Sequence, residues 1–347
     1  MGASSAISIA TPNAGEQLIL LRDASPGDAS ADDHKAWAES MAAALLEAGL
    51  KAPAVRVRDC AESLFFDLVA DQTTGEIRHR LRSAPYCRYR HCPVCQWRRS
   101  LRHKGMLMTN LPKIWDQYPT ARFALLTLTV RNCPVSDLRA TANAMAKGWQ
   151  RLIKRKDWPA IGWLRAFEVT RGEDGSAHPH YHALLMVPAS YFTGRAYVPT
   201  REWVRRWREV MRLDYDPVCD VRAIKAHPRR IEALEAEAKA AGVPLAPEAI
   251  QRAALASGVA EVAKYSTKAA DLLAGGPDWL AEYIHQVHGL KIMTSGGVLK
   301  GILQDMREDQ DEDLVHVGDG EVEGEVEGKV AYHWRTKLKG YARKRQA

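Results

Sequence analysis

His178, His180 and His182 alternate along one run of the chain, HPHYH. On an extended strand, residues two apart share a face, so the three imidazoles project together. Imidazoles so grouped suit a divalent cation. Glu168 lies on the preceding strand, across the turn residues GEDGSA. The turn midpoint near 174–175 sets Glu168 opposite residues 180–182, on the histidine face unless the register slips by one. A mixed histidine and carboxylate site with open positions suits Mn²⁺ or Mg²⁺ bound to phosphate oxygens. The competing reading is a half-exposed strand whose histidines only form hydrogen bonds.

A second group lies downstream in EVAKYSTKAADLL. On a helix, Glu261 and Lys268 fall at i−4 and i+3 from Tyr265, so the three share a face. A phenol, with an ordinary pKa of about 10, becomes a useful nucleophile when a cation stabilises its phenolate. Lys268 can do that, or neutralise a phosphorane-like transition state. Glu261 can take a proton from water. Taken alone, such a face is equally that of a surface helix with an ion pair.

Cys87-x4-Cys92-x2-Cys95 offers three thiolates, and Cys60 supplies a fourth. Four cysteines make a closed tetrahedral zinc site, with His91 as a competing ligand and free buried thiols as the alternative. Arg88, Arg90, Arg98, Arg99 and Arg102 surround this cluster, and the metal would hold them as a surface for the DNA backbone. Trp97 is the best candidate to stack on an unpaired base. Trp149, Trp158, Trp163, Trp203 and Trp207 read as core, as do the thiols of Cys133 and Cys219.

These groups need elements to hold them. The pattern gives strands over 121–130, 163–171, 178–187 and 218–224, the middle two forming a hairpin. Helices are expected over 36–50, 137–156 and 230–241, from Thr200, and from Pro247 through about Leu273. This order suits an α+β domain with an antiparallel sheet. At 347 residues the chain is long enough for one or two domains. The reading divides it into a tail and helix over 1–53, a cysteine-rich module over 54–118, a catalytic domain over 119–304, and an acidic segment with a basic aromatic tail over 305–347. Residues 1–35 read as mobile, apart from a short strand near Leu18–Leu21.

Charge is uneven. Residues 305–327 hold eleven acids and one base, so a net +7 chain carries +17 elsewhere. A body this basic points to a polyanion, most simply nucleic acid. No run of about 18 apolar residues occurs, so a membrane-spanning helix is excluded. Without a basic and apolar leader, a cytoplasmic protein is expected, and a disulfide framework is not.

The LLTLT strand (125–129), then HPHYHALL, then a helix with Y-x-x-K, resembles the plasmid rolling-circle replication initiators of the single-tyrosine HUH endonuclease class. HUH denotes two histidines around a hydrophobic residue, here His180–Tyr181–His182. The motif order matters, because the related conjugative relaxases place the tyrosine upstream. The likeness spans roughly 54–304 and includes C…C-x4-C-P-x-C, the E-V-T strand of Glu168, Glu261 four before the tyrosine, and SGGVLK near residue 300. It implies a central antiparallel sheet flanked by helices, with an N-terminal zinc module. It implies that His180 and His182, with Glu168 or another group such as His178, hold the catalytic Mg²⁺ or Mn²⁺. Tyr265 would attack the scissile phosphate of single-stranded or cruciform origin DNA, leaving a 5′-phosphotyrosine and a 3′-OH. Glu261 would activate water for release, and Lys268 would assist the transition state. A host helicase and DNA polymerase would be partners. Two alternatives stand beside this: a zinc-containing DNA-binding regulator without catalysis, and an HUH transposase or relaxase.

Overall fold

The computed structural model describes residues 18–70, 75–193, 196–262, 269–302, 314–315 and 324–345. It is an α+β fold built on two antiparallel five-stranded sheets. In chain order the strands are β1 (Leu18–Leu20), β2 (Ser63–Ala70), β3 (Ile77–Ser83), β4 (Arg122–Thr129), β5 (Gly162–Arg171), β6 (Ala177–Val187), β7 (Cys219–Ala223), β8 (Met293–Gly297), β9 (Val326–Arg335) and β10 (Gly340–Lys344).

The histidine-bearing sheet runs β7-β4-β6-β5-β8, so the histidine strand β6 is central. Strands β4, β5 and β6 are almost wholly buried, because helices cover both faces. On one face, Trp149 of the Leu138–Leu152 helix and Trp203 and Trp207 of the Thr200–Met211 helix pack over Tyr181, Ala183 and Leu185. On the other, Leu107, Leu111 and Trp115 of the Pro93–Trp115 helix and Leu255, Val259 and Val262 of the Pro247–Val262 helix pack over Leu164, Ala166, Leu184 and Met186. Gly258 lets the latter helix ride close to the sheet. A Cβ there would collide with Ile224 Cδ1 and come within 3.1 Å of Leu184 Cδ1.

The β5–β6 hairpin turns through Gly172–Ser176. Gly172 N donates to Ser176 O (2.8 Å), and Asp174 Oδ1 accepts from Ser176 N (3.0 Å). Gly175 takes φ +82°, a left-handed conformation that costs glycine nothing. This turn fixes the register at Glu168↔His180 and Ala166↔His182.

The second sheet runs β1-β10-β9-β2-β3 and joins the two ends of the chain. The segment read as a basic aromatic tail pairs as β9 and β10, with Val330, Tyr332 and Trp334 turned inward and Lys329, His333 and Arg335 exposed. The N-terminal residues read as mobile are ordered from Leu18. The first long helix begins at Ser30 rather than 36, because Asp32 and Lys35 are buried with partners. Asp32 accepts from Tyr341 N (2.8 Å), while Lys35 Nζ donates to Arg58 O (2.6 Å) and Cys60 O (2.7 Å). Among the described residues, no helix is long and apolar enough to cross a membrane.

Candidate active site and metal centres

Cross-strand partners in an antiparallel sheet share a face. Glu168 therefore projects on the same side as His180 and His182. Its Oε2 lies 3.6 Å from His180 Nε2 and 3.4 Å from His182 Nε2. One donor atom from each of the three residues falls within 4.8 Å of the other two. Donors about 2.1 Å from a common Mg²⁺ at right angles would stand about 3.0 Å apart, so a small contraction brings all three into reach. The tautomers favour this. His180 Nδ1 contacts His178 O at 3.1 Å, and a carbonyl only accepts, so the proton sits on Nδ1 and leaves the Nε2 lone pair toward Glu168. His182 Nδ1 contacts Thr127 Oγ1 at 3.2 Å, across β4. Thr127 was not singled out from the sequence. A polar residue within the apolar run of β4 was the available signal.

Burial alone would raise the Glu168 carboxyl. When the two histidines are protonated at Nε2, as in the absence of metal, their hydrogen bonds and charge outweigh that and bring it down to about 2. His178 stands apart from this trio. Its ring packs edge-on to His180 with centroids 5.3 Å apart, and burial, then His180, lowers its pKa.

The Pro247–Val262 helix carries Glu261 in its last turn, and its buried Val259 and Val262 sit on the face that bears the trio. Tyr265 and Lys268 lie outside the described residues.

The second centre brings together Cys60, Cys87, Cys92 and Cys95, all as free thiols. Cys95 Sγ is 3.5 Å from Cys60 Sγ and 3.7 Å from Cys87 Sγ. Four thiolates about 2.3 Å from zinc in a tetrahedron would be about 3.8 Å apart, so the quartet fits that ion. Cys87 N donates to Cys60 Sγ (3.3 Å). The residues after these two cysteines, Ala61 (φ 52°) and Arg88 (φ 57°), are left-handed, which bends the chain sharply at each ligand. Hydrogen bonds from the other thiols pull the Cys87 pKa down and, reciprocally, raise that of Cys92. His91 is not in the quartet. It is buried edge-on to Tyr89 and Tyr283, and burial, with nearby Arg90 and Arg99, lowers it to about 3.

The surrounding cations correct the expectation of one arginine surface. Arg98 is buried and spent on backbone: its Nε donates to Leu314 O and its Nη2 to Val315 O, both at 2.7 Å. Arg102 is buried as well. Both lie on the inward face of the Pro93–Trp115 helix, which charge content alone does not reveal. Arg99 Nη2 donates to Arg88 O (2.7 Å), and Arg90 Nη2 to Leu290 O (3.0 Å); Arg88, Arg90 and Arg99 are half-buried. One face of Trp97 is covered by His34, stacked at 4.7 Å and 17°. Trp149, Trp203 and Trp207 are wholly buried, as expected of core.

Residues 78–342 match the model of a family described as "Replication protein". The chain belongs to the replication-protein family. A "Protein rep" of Lactiplantibacillus plantarum is 32% identical over 275 residues, covering 76% of this chain and 78% of that relative. One of Streptococcus pneumoniae is 29% identical over 293 residues, covering 82% of each. A "Replication protein" of Staphylococcus aureus is 29% identical over 240 residues, covering 66% of this chain and 93% of the relative. No solved structure matches. The matched region of this replication protein runs from β3 to β10, so it takes in the histidine–glutamate trio and three of the four cysteines.

Proposed function

We propose that this replication protein initiates plasmid rolling-circle replication by nicking single-stranded origin DNA. The observation that carries the reading is the trio: Glu168 Oε2 within 3.4 and 3.6 Å of two histidine Nε2 atoms, on the sheet face crossed by the Glu261 helix. Tyr265 follows the buried Val262 by three residues, a span of at most about 11 Å of extended chain.

His180, His182 and Glu168 would hold Mn²⁺ or Mg²⁺, which when bound polarises the scissile phosphate. Tyr265 Oη attacks phosphorus, the P–O3′ bond breaks, and the 3′ oxygen leaves with the electron pair and takes a proton. The phosphate stays on the tyrosine as a 5′-phosphotyrosine. Lys268 offsets the charge that builds on the phosphoryl oxygens. At termination Glu261 draws a proton from water, whose oxygen displaces the tyrosine. The free 3′-OH is the primer a host polymerase extends, with a helicase opening the duplex ahead. The cysteine quartet holds a structural Zn²⁺.

The test is incubation with single-stranded origin DNA and Mn²⁺. A covalent adduct is expected, mapped to Tyr265 by mass spectrometry and lost in Tyr265→Phe. Failure of the wild-type protein to form an adduct would reject the nicking mechanism and favour a zinc-containing DNA-binding protein without catalysis, whereas an adduct that persists in Tyr265→Phe would overturn Tyr265 as the nucleophile.

A further inference from the structure

Strand β8 is an edge of the histidine-bearing sheet, and a cleft of about 1110 Å³ opens along it. That volume exceeds the range of about 300–1,000 Å³ usual for small-molecule pockets. Among the described residues its lining holds Arg90, Lys291 and Lys300 and no carboxylate. The hydroxyl residues Thr294 and Ser295 of β8 also line it. Two buried donors here have no hydrogen-bond partner, Arg90 Nε and Thr294 Oγ1. Across the β5–β8 ladder Thr294 pairs with Arg165, a buried guanidinium stacked over Tyr181 at 4.1 Å, whose Nε and Nη1 are likewise without partners. The cleft is thus walled by cations and backed by a buried one, with hydrogen-bonding capacity unspent. An anionic chain satisfies both conditions.

The register connects this cleft to the metal-binding trio. Ala166 pairs with Met293, and Phe167 N donates to Ile292 O (2.7 Å), so the pairing continues one step beyond β8. Lys291 directly precedes Ile292, whose partner Phe167 is the chain neighbour of Glu168. A phosphodiester chain lying on Lys300 and Lys291 would run toward the strand that carries Glu168.

We propose that the β8 cleft is the track of the unpaired DNA strand, gripping phosphates next to the one to be cut. The proposal rests on the nicking reading only for its strand polarity and purpose. The one indole in the lining, Trp163, is buried against Gly296, and the imidazole of His103 is half-buried. The cleft therefore holds backbone rather than sorting bases, and origin sequence is read elsewhere.

Binding without metal tests this separately from cleavage. Fluorescence anisotropy of a labelled single-stranded oligonucleotide, in buffer with no added Mn²⁺ or Mg²⁺, should show Lys291→Ala/Lys300→Ala weakened more than tenfold at low salt. The slope of log affinity against log salt should fall by about 1.4, at about 0.7 per phosphate contact. Lys291→Arg/Lys300→Arg should bind as wild type, which separates lost charge from lost fold. Unchanged affinity and slope in a folded double-alanine variant would overturn the proposal, as would stronger binding of an RNA strand of the same sequence. A wild-type protein that grips the strand in this way but forms no tyrosine adduct would sink the nicking reading and leave the track standing.

Discussion

The trio predicts how metal affinity should depend on pH. Glu168 is held down to about 2, so it is ionised throughout the accessible range and gives up no proton when metal binds. His180 and His182 must each present a neutral Nε2, so metal displaces two protons wherever both imidazoles are charged. The logarithm of the association constant for Mn²⁺ should then rise with a limiting slope of 2 per pH unit on the acid side and flatten as pH increases. His182→Ala should cut the limiting slope to 1. Glu168→Gln should keep the slope at 2 while lowering affinity by more than the 10–100-fold that outer-sphere partners cost. His178→Ala should leave the slope alone, because His178 lies outside the trio. Isothermal titration with Mn²⁺ between pH 5 and 8, on DNA-free protein, reads all four. A slope of 3 that falls to 2 in His178→Ala would refute the ligand set. A slope untouched by His182→Ala would refute the site.

Three further outcomes concern the framework. Metal analysis should find one zinc per chain, lost in Cys95→Ser, and a strong chelator should lower the melting temperature by removing a ligand that binds only the folded state; zinc-free protein of unchanged melting temperature would contradict the structural role. Arg98→Ala leaves the carbonyls of Leu314 and Val315 without their donor, a loss of about 2–6 kcal/mol at about 1–3 kcal/mol per buried group, and a urea midpoint that stays put would show that the tie is idle. His34 is lowered to about 4 by burial, partly offset by Asp33. It therefore contributes stability that is complete above about pH 6.5 and lost as pH falls toward 4, roughly 1–3 kcal/mol; His34→Phe keeps a ring on Trp97 and should flatten that acid limb.

Local periodicity made the histidine-bearing sheet legible. His178, His180 and His182 recur every second residue, and the glycine-rich turn before them fixes where Glu168 stands, so the trio follows from strand geometry alone. The cysteine quartet was legible because a C-P-x-C knuckle with two further thiols has few uses other than metal binding. What the charge pattern hid was direction. Arg98 and Arg102 share the basic run with Arg99, yet point inward, and only the partners Leu314 and Val315, over 200 positions away, reveal it. The C-terminal strands were obscured for the same reason. Val330, Tyr332 and Trp334 do alternate, but their partner β2 lies some 260 residues upstream, where no window reaches.

The sheet that joins the chain ends has a consequence for synthesis. Strand β1 pairs only with β10, and β2 gains its second neighbour only when β9 exists. On the ribosome, the cysteine module must wait with open edges until β9 and β10 have been made. Such late closure slows folding and leaves the nascent product vulnerable to aggregation. It also means that a chain cut before β9 carries the histidine trio with the sheet of β1 and β2 unfinished.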